Sequence, residues 1–397
     1  MSDNKSLPKG YQASGVACGI KKNGGKDLAL IVSDTLAEAA GVFTTNIVKG
    51  HSLKWSMEQI KNNKIKAIVI NSGNANACTG PGGDKDAVSM ADITAKIVGC
   101  DKEQVLLGST GVIGYRLPMD KVEAGLNNAY SQLDIYGNSN AVQAIMTTDT
   151  VQKECSLKVI LHGRTVTIYG MAKGSGMIHP NMATMIGVLL TDAAISKSML
   201  QKALSCVTHK SFNRVSVDGD TSVCDKVLLL ANRMAGNMEI SEENNDYSVF
   251  VTALEKVSVS LSKMLVKDGE GATKLVEIHV KNAPDKLTAH IIAGSVSKSP
   301  LVKTALFGQD ANWGRIITAA GYSGAQFNPD TVDIWIGNLL MCKNGIGLRF
   351  DEEKALNILK RDEIIITIDL KTGKADDTMW TCDFSYDYVK INGSYRT

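Results

Sequence analysis

The chain has 397 residues, of which 44% are hydrophobic and 21% charged, and its formal net charge is +2. That length allows two or three domains and a large buried core, and the composition is that of an ordinary globular protein. So small a charge, with no run of five or six basic residues, gives no argument for a nucleic-acid or membrane partner.

The eight cysteines form no CxxC pair, and none lies at a zinc-ligand spacing from a histidine, so they read as scattered reduced thiols. The opening residues MSDNKSLPKGY lack the apolar core of a signal peptide. No stretch reaches about 18 successive apolar residues. The expected location is the cytoplasm.

In chain order, residues 66–71 (KAIVIN) form a short apolar run ending in a Ser-Gly-Asn loop, which predicts a buried strand. Residues 86–98 carry apolar side chains at helical spacing. Residues 117–133 open near Pro118 and place Val122, Leu126 and Tyr130 on one helical face. Residues 156–161 and 165–169 alternate around His162-Gly163-Arg164, the pattern of a hairpin. Residues 184–190 (TMIGVLL) are apolar enough for an interior strand, and residues 196–207 follow as a helix with Ser196 as N-cap. In the last third, residues 276–280, 288–292, 332–336, 364–370 and 380–388 read as strands. Residues 351–359 read as a helix with acids in its first turn. The sum is an α+β protein rich in strands, whose sheets need covering helices to bury both faces. No Pro- or Ser-rich linker divides it.

Chemistry concentrates in residues 173–192, KGSGMIHPNMATMIGVLLTD. The loop Gly174-Ser175-Gly176 permits unusual backbone geometry, and Pro180 restricts itself and His179. A tightly held peptide bond before a hydroxyl residue suits an N→O acyl shift. The Thr184 hydroxyl attacks the Ala183 carbonyl, an ester forms, and water cleaves it. Thr184 then carries a free α-amine, of pKa about 7.7–8.0, able to act as base for its own hydroxyl. The plain alternative is a β-branched residue at a strand start. His179 either assists the shift or is an ordinary loop histidine, and Met182 and Met185 read as core packing. Residues 268–274 (DGEGATK) resemble a phosphate loop superficially but lack the Walker spacing.

The string from 174 to 193, with Asn181-Met182-Ala183-Thr184-Met185 at its centre and Thr191-Asp192-Ala193 at its end, resembles the ornithine acetyltransferase family. That family includes monofunctional glutamate N-acetyltransferases and bifunctional members that also use acetyl-CoA. Further similar blocks run through the chain: residues 41–46 (GVFTTN), 71–78 (NSGNANAC), 109–114 (STGVIG), 146–150 (MTTDT), 216–222 (SVDGDTS), 310–315 (DANWGR) and 392–397 (NGSYRT). Two departures stand out. Val223-Cys224-Asp225 replaces the usual Thr-Asn-Asp, and residues 49–52 are less apolar than the family pattern.

The resemblance implies an α+β fold, a helix-flanked β-sheet sandwich of the ornithine acetyltransferase/aminopeptidase type with a smaller C-terminal α/β part. It implies self-cleavage between Ala183 and Thr184 into an alpha chain (1–183) and a beta chain (184–397), assembled as a heterotetramer of two each. Thr184 is then the nucleophile, and Thr110 and Gly111 form the oxyanion hole. Thr147, Lys173, Thr184, Glu270, Asn392 and Thr397 bind substrate. The implied reaction is ping-pong acetyl transfer from N-acetylornithine to glutamate in arginine biosynthesis, without metal or organic cofactor, acetyl-CoA being a second donor in bifunctional members. On charge pattern alone, Lys173 and Glu270 read as solvated surface groups, and Asn392 and Thr397 as a frayed end. Two rivals predict different outcomes. A self-processing N-terminal-threonine aminopeptidase or amidohydrolase hydrolyses peptides, and a non-catalytic binding protein remains one intact chain.

Overall fold

The structure, a computed structural model, describes residues 5–179 and 185–394. Its main body is an eight-stranded sheet. The hydrogen-bonded order is Val105–Val112, Ile65–Asn74, Leu28–Phe43, Lys226–Ala231, Ile186–Thr191, Arg164–Lys173 and Lys153–Leu161, with Tyr11–Val16 also pairing to Leu28–Phe43. The 16-residue strand Leu28–Phe43 is the hinge. Its first half pairs with Ile65–Asn74, its register shifts between Val32 and Ala37, and its second half pairs with Lys226–Ala231. The ladder thus folds over itself into two facing layers.

Alternation along the strands supports both faces. Ile31, Ile68, Ile70 and Leu106 from one layer meet Tyr169, Met171, Val188, Leu190, Leu228 and Leu230 from the other in one buried cluster. The intervening residues face outward. Leu28, Leu30, Val69, Val105 and Leu107 pack under helices Pro81–Val98 and Met119–Ser131. Ile168, Leu189, Val227 and Leu229 pack under Lys197–Lys210 and Asn245–Lys267. With side chains of period two, each strand feeds one face to each cluster. The result is helices, sheet, sheet, helices, the expected sandwich. Strand Ile186–Thr191 lies between Arg164–Lys173, antiparallel, and Lys226–Ala231, parallel.

The C-terminal part has its own seven-stranded sheet, ordered Ile346–Gly347, Leu339–Lys343, Asp333–Ile336, Glu363–Asp369, Leu275–Ala283, Ala375–Cys382 and Val215–Ser216. Helices Lys286–Lys298, Pro300–Phe307, Trp313–Gly321 and Glu352–Leu359 contribute to its core. The small strand Val215–Ser216 and helix Asn245–Lys267 tie it to the main body.

Two expectations are corrected. Residues 288–292 (TAHII) lie in helix Lys286–Lys298, not a strand. Asp285 caps it by accepting the Thr288 N–H at 2.8 Å, and the buried set Ala289, Ile292, Ala293, Val296 has helical spacing. The β-branched residues suggested a strand, but the spacing decides. The strand assigned to 380–388 ends at Cys382. There the Asp383 carboxylate turns to accept the N–H groups of Thr273 and Lys274 at 2.8 and 2.9 Å, and a new helix, Tyr386–Ser394, begins. The strand from 184 is described from Ile186, Thr184 being outside the described residues.

Candidate active site

Several strand ends meet at one end of the sandwich. Thr110 and Gly111 lie near the carboxyl end of Val105–Val112, in parallel register with Ser72 and Gly73. Gly111 has φ +129°, and a Cβ there meets the Gly73 carbonyl carbon at 2.4 Å and the Asn74 nitrogen at 2.6 Å. Only glycine fits, because every obstructing atom is backbone. Beneath it, the Ser109 hydroxyl donates to Asn71 Oδ1 at 2.6 Å and touches the Ser52 hydroxyl at 2.7 Å. The Asn74 side chain accepts the Asn76 N–H at 2.8 Å and donates to the carbonyls of Tyr115 and Arg116. Both strand ends are therefore fixed from below.

Lys173 ends the facing strand Arg164–Lys173 and crosses the gap, its Nζ 3.5 Å from the Thr110 hydroxyl. It is only 4% exposed. Burial lowers its pKa, and Asp149 opposes that shift. Burial by itself would raise the Asp149 carboxyl, but Lys173, Lys153 and the Gly174 N–H outweigh it and hold it below the usual carboxylate range. Asp149 accepts the Gly174 N–H at 2.7 Å, the Thr147 N–H at 2.9 Å and the Lys153 ammonium at 2.7 Å. Lys153 also donates to Asp268 at 2.5 Å, and Asp268 accepts the Thr150 N–H at 3.0 Å and its hydroxyl. The side chains of Lys153 and Asp149 are wholly buried. A buried cation held by two carboxylates fixes three loops in register, and removing one partner strands the others without solvent.

Through Asp268 the network reaches Glu270. The Ser175 hydroxyl donates to the Asp268 carbonyl at 2.6 Å, and the Glu270 N–H donates to the Ser175 carbonyl at 3.0 Å. Asn392, near the end of helix Tyr386–Ser394, donates to Glu270 Oε2 at 2.8 Å. Glu270 is 7% exposed, so neither it nor Lys173 is a solvated surface charge. Two cavities flank the 147–150 turn. One, of about 570 Å³, is lined by Thr150, Ser175, Asp268 and Glu270, and the other, of about 430 Å³, by Thr147, Gly73, Asn74 and Val112.

The candidate cleavage position, Ala183 and Thr184, lies outside the described residues, as does Thr397. Its two flanks are well anchored. Met177 and Ile178 donate their N–H groups to the Asp218 carboxylate at 2.5 and 2.9 Å. Burial pushes that carboxyl up to about 6, against those backbone donors. Burial also pushes His179 down to about 4, with Lys298 and His290 adding to the shift. Beyond the junction, the Met185 N–H donates to Asp225 Oδ1 at 3.1 Å, and the Lys226 N–H donates to the Met185 carbonyl at 3.1 Å. Cys224, a departure from the family pattern, packs with its thiol against the Ala75 carbonyl at 3.6 Å, and burial pushes the thiol up to about 12. It is therefore an inert packing group.

The structure thus joins Thr110, Gly111 and Lys173 directly, Thr147 through Asp149, and Glu270 with Asn392 through the Asp268 loop. Sequence reasoning assigned no role to Asp149, Lys153, Asp268 or Asp225. Asp149 stands in the quoted MTTDT block, but its lysine partners are distant in sequence or look like surface charge. Among the described residues, no group of three or more His, Cys, Asp or Glu is set to hold a metal ion, and no helix is long and apolar enough to cross a membrane.

Comparison with known proteins gives a consistent answer. The ArgJ family model matches residues 12–397. The arginine biosynthesis bifunctional protein ArgJ of Caldanaerobacter subterraneus subsp. tengcongensis is 51% identical over 395 residues, 98% of each chain. ArgJ 1 of Clostridium acetobutylicum is 52% identical over 391 residues, 98% of this chain and 96% of that one. The crystal structure of the arginine biosynthesis bifunctional protein ArgJ from Bacillus halodurans matches with TM-score 0.50 at 43% identity, over 51% of this chain and 96% of that chain. With the match spanning nearly every residue, this chain belongs to the ArgJ family.

Proposed function

We propose that the chain cuts itself between Ala183 and Thr184, and that Thr184 then carries an acetyl group from N-acetylornithine to glutamate in arginine biosynthesis. The observation that carries this reading is the Thr110-Gly111 strand end beside the buried Lys173, whose register partner Ile186 lies just past the proposed cut. The Thr184 hydroxyl attacks the acetyl carbon and passes its proton to its own α-amine. The carbonyl oxygen becomes negative and is met by the Gly111 N–H and the Thr110 hydroxyl, preorganised donors of a kind worth about 3–4 kcal/mol. Collapse of the adduct expels ornithine, whose amine takes the proton. The α-amine of glutamate then attacks the acetyl ester and leaves as N-acetylglutamate.

Lys173 suits the α-carboxylate that both substrates share. Glu270, oriented by Asn392, suits the side-chain ammonium of ornithine. Thr147 and Thr397 complete the polar lining of this reading. No metal or organic cofactor enters any step. The relatives' designation as bifunctional favours acetyl-CoA as a second donor. The cut yields pieces of 183 and 214 residues, two of each in the proposed heterotetramer. The size of the Bacillus halodurans match supports the cut: that chain is 96% covered by only 51% of this one, about the size of residues 184–397.

A denaturing gel with N-terminal sequencing tests the cut, the larger band beginning Thr-Met-Ile-Gly. Thr184→Ala should remain whole and inactive. Incubation with glutamate and either N-acetylornithine or acetyl-CoA separates one donor from two. Active protein that is one uncut polypeptide, with no acetyl adduct on Thr184, refutes the reading. Peptide hydrolysis without acetyl transfer points instead to an aminopeptidase.

A further inference from the structure

Asp225 holds Met185, the second residue after the proposed cut, and takes no part in the transfer chemistry above. Its Oδ1 accepts the N–H of Met185 at 3.1 Å, and that nitrogen is covalently bonded to the carbonyl carbon of Thr184. Its Oδ2 is buried and has no hydrogen-bond partner among the described residues. Leaving such an oxygen unmatched is costly, and native structures seldom keep one idle. The residue is held on both sides, its own carbonyl accepting the Thr44 N–H at 3.0 Å and the following Lys226 N–H donating to Met185.

The charged and titratable groups facing it are Lys173, Lys226 and Cys224. None neutralises it by contact. The Lys226 ammonium donates to the Leu107 carbonyl at 2.9 Å, and Lys173 is turned to Thr110. Burial therefore dominates and pushes the carboxyl well above the ordinary range, despite the Met185 and Ser222 N–H groups. A neutral carboxylic acid at this place can give one proton and take another.

We propose that Asp225 carries the proton in the scission of the Ala183–Thr184 bond, an inference that rests on the self-cleavage reading. The threonine hydroxyl must lose a proton as it attacks, and the amide nitrogen must gain one to leave. The bond from Thr184 Oγ to the Ala183 carbonyl carbon forms, and the bond from that carbon to the Thr184 nitrogen breaks. Asp225 protonates the departing nitrogen, and its carboxylate recovers the proton of the hydroxyl. One water then hydrolyses the ester, its hydroxyl going to the Ala183 carbonyl and its hydrogen to Thr184 Oγ. Asp225 ends as it began, and the amine it has released becomes the base of the transfer reaction.

The full-length chain is made by cell-free translation, quenched at intervals and resolved on a denaturing gel, with Thr184→Ala as the uncut control. Asp225→Asn keeps a carbonyl acceptor for the Met185 N–H and loses the transferable proton. It should cut at least about tenfold more slowly than wild type, at the low end of what general acid–base groups supply. Cutting at the wild-type rate overturns the proposal. Should Asp225→Asn misfold, Asp225→Glu against Asp225→Gln repeats the comparison at equal side-chain length. Faster cutting by the Glu chain supports the proton carrier, and equal rates overturn it. A wild-type chain that never cuts removes the self-cleavage reading itself, a result distinct from either.

Discussion

Replacing Gly111 by alanine tests the geometry of the strand end most directly. The added methyl would sit 2.4 Å from the Gly73 carbonyl carbon and 2.6 Å from the Asn74 nitrogen. Ordinary contacts of this kind begin near 3.4 Å, so the strand ends must separate by about 1 Å. Alanine also has to adopt φ near +129°, or rotate the peptide and re-aim its N–H. A sparsely allowed backbone of this sort costs about 1–3 kcal/mol. Loss of one oxyanion donor lowers turnover by about 10²–10³, and a misplacement of about 1 Å is alone worth about 10². Steady-state assay of acetyl transfer from N-acetylornithine to glutamate should therefore show kcat reduced at least about 100-fold. KM should move little, because Lys173 and Glu270, the groups proposed to hold substrate, are untouched. Assays use protein shown to be cut, so that a failure of processing is not mistaken for slow transfer. A kcat within threefold of wild type would remove Gly111 from the reaction.

Lys173→Met keeps length and removes the buried cation; loss of a charged hydrogen bond of about 1.5–3 kcal/mol predicts kcat/KM lower by about 10–100-fold, and an unchanged value refutes the carboxylate-binding role. Asp149→Asn leaves Lys153 and Lys173 undercompensated and should cost about 3–5 kcal/mol in urea unfolding, whereas a loss under about 1 kcal/mol denies the network its structural weight. Asp218 gives a pH signature. Its folded pKa, about 6, exceeds the unfolded value of about 3.9, so the folded state holds more protons between these values. Stability therefore falls as pH rises from about 4 to about 6, by roughly 2–3 kcal/mol, and is flat above. Asp218→Asn should abolish that slope, and a slope unchanged in the variant assigns it elsewhere.

Local pattern revealed much of the sandwich, because strands such as 66–71 and the hairpin 156–169 declare themselves by apolar runs and turn residues. It also singled out the Gly-rich approach to Thr184, whose role as nucleophile is what the family resemblance implies. It gave no account of strand Leu28–Phe43 or helix Asn245–Lys267, the first an interrupted run of small residues, the second a helix rich in β-branched residues. Residues 288–292 misled for the same reason. The charged network was hidden for a different one. Thr150 and Asp268 lie 118 positions apart, and Lys153 and Asp268 lie 115 apart. A lysine destined for burial between two aspartates looks in sequence like any exposed lysine. The resemblance to a known family supplied Thr110, Lys173, Glu270 and Asn392, but not the aspartates that hold their loops.

If the chain is cut as proposed, the placement of strand Ile186–Thr191 between Arg164–Lys173 and Lys226–Ala231 gives that scission an unusual aftermath. Both fragments remain woven into one fabric, since the strand just past the junction is stitched to the one before it, and Lys226–Ala231 is stitched to Leu28–Phe43. A tag on either fragment should retrieve both. Recovery after denaturation, however, becomes a second-order encounter between two partners, each presenting bare strand edges that invite aggregation. The proposed cut would therefore turn a foldable single chain into an assembly that is readily lost and poorly regained, and would confine correct folding to the interval before it.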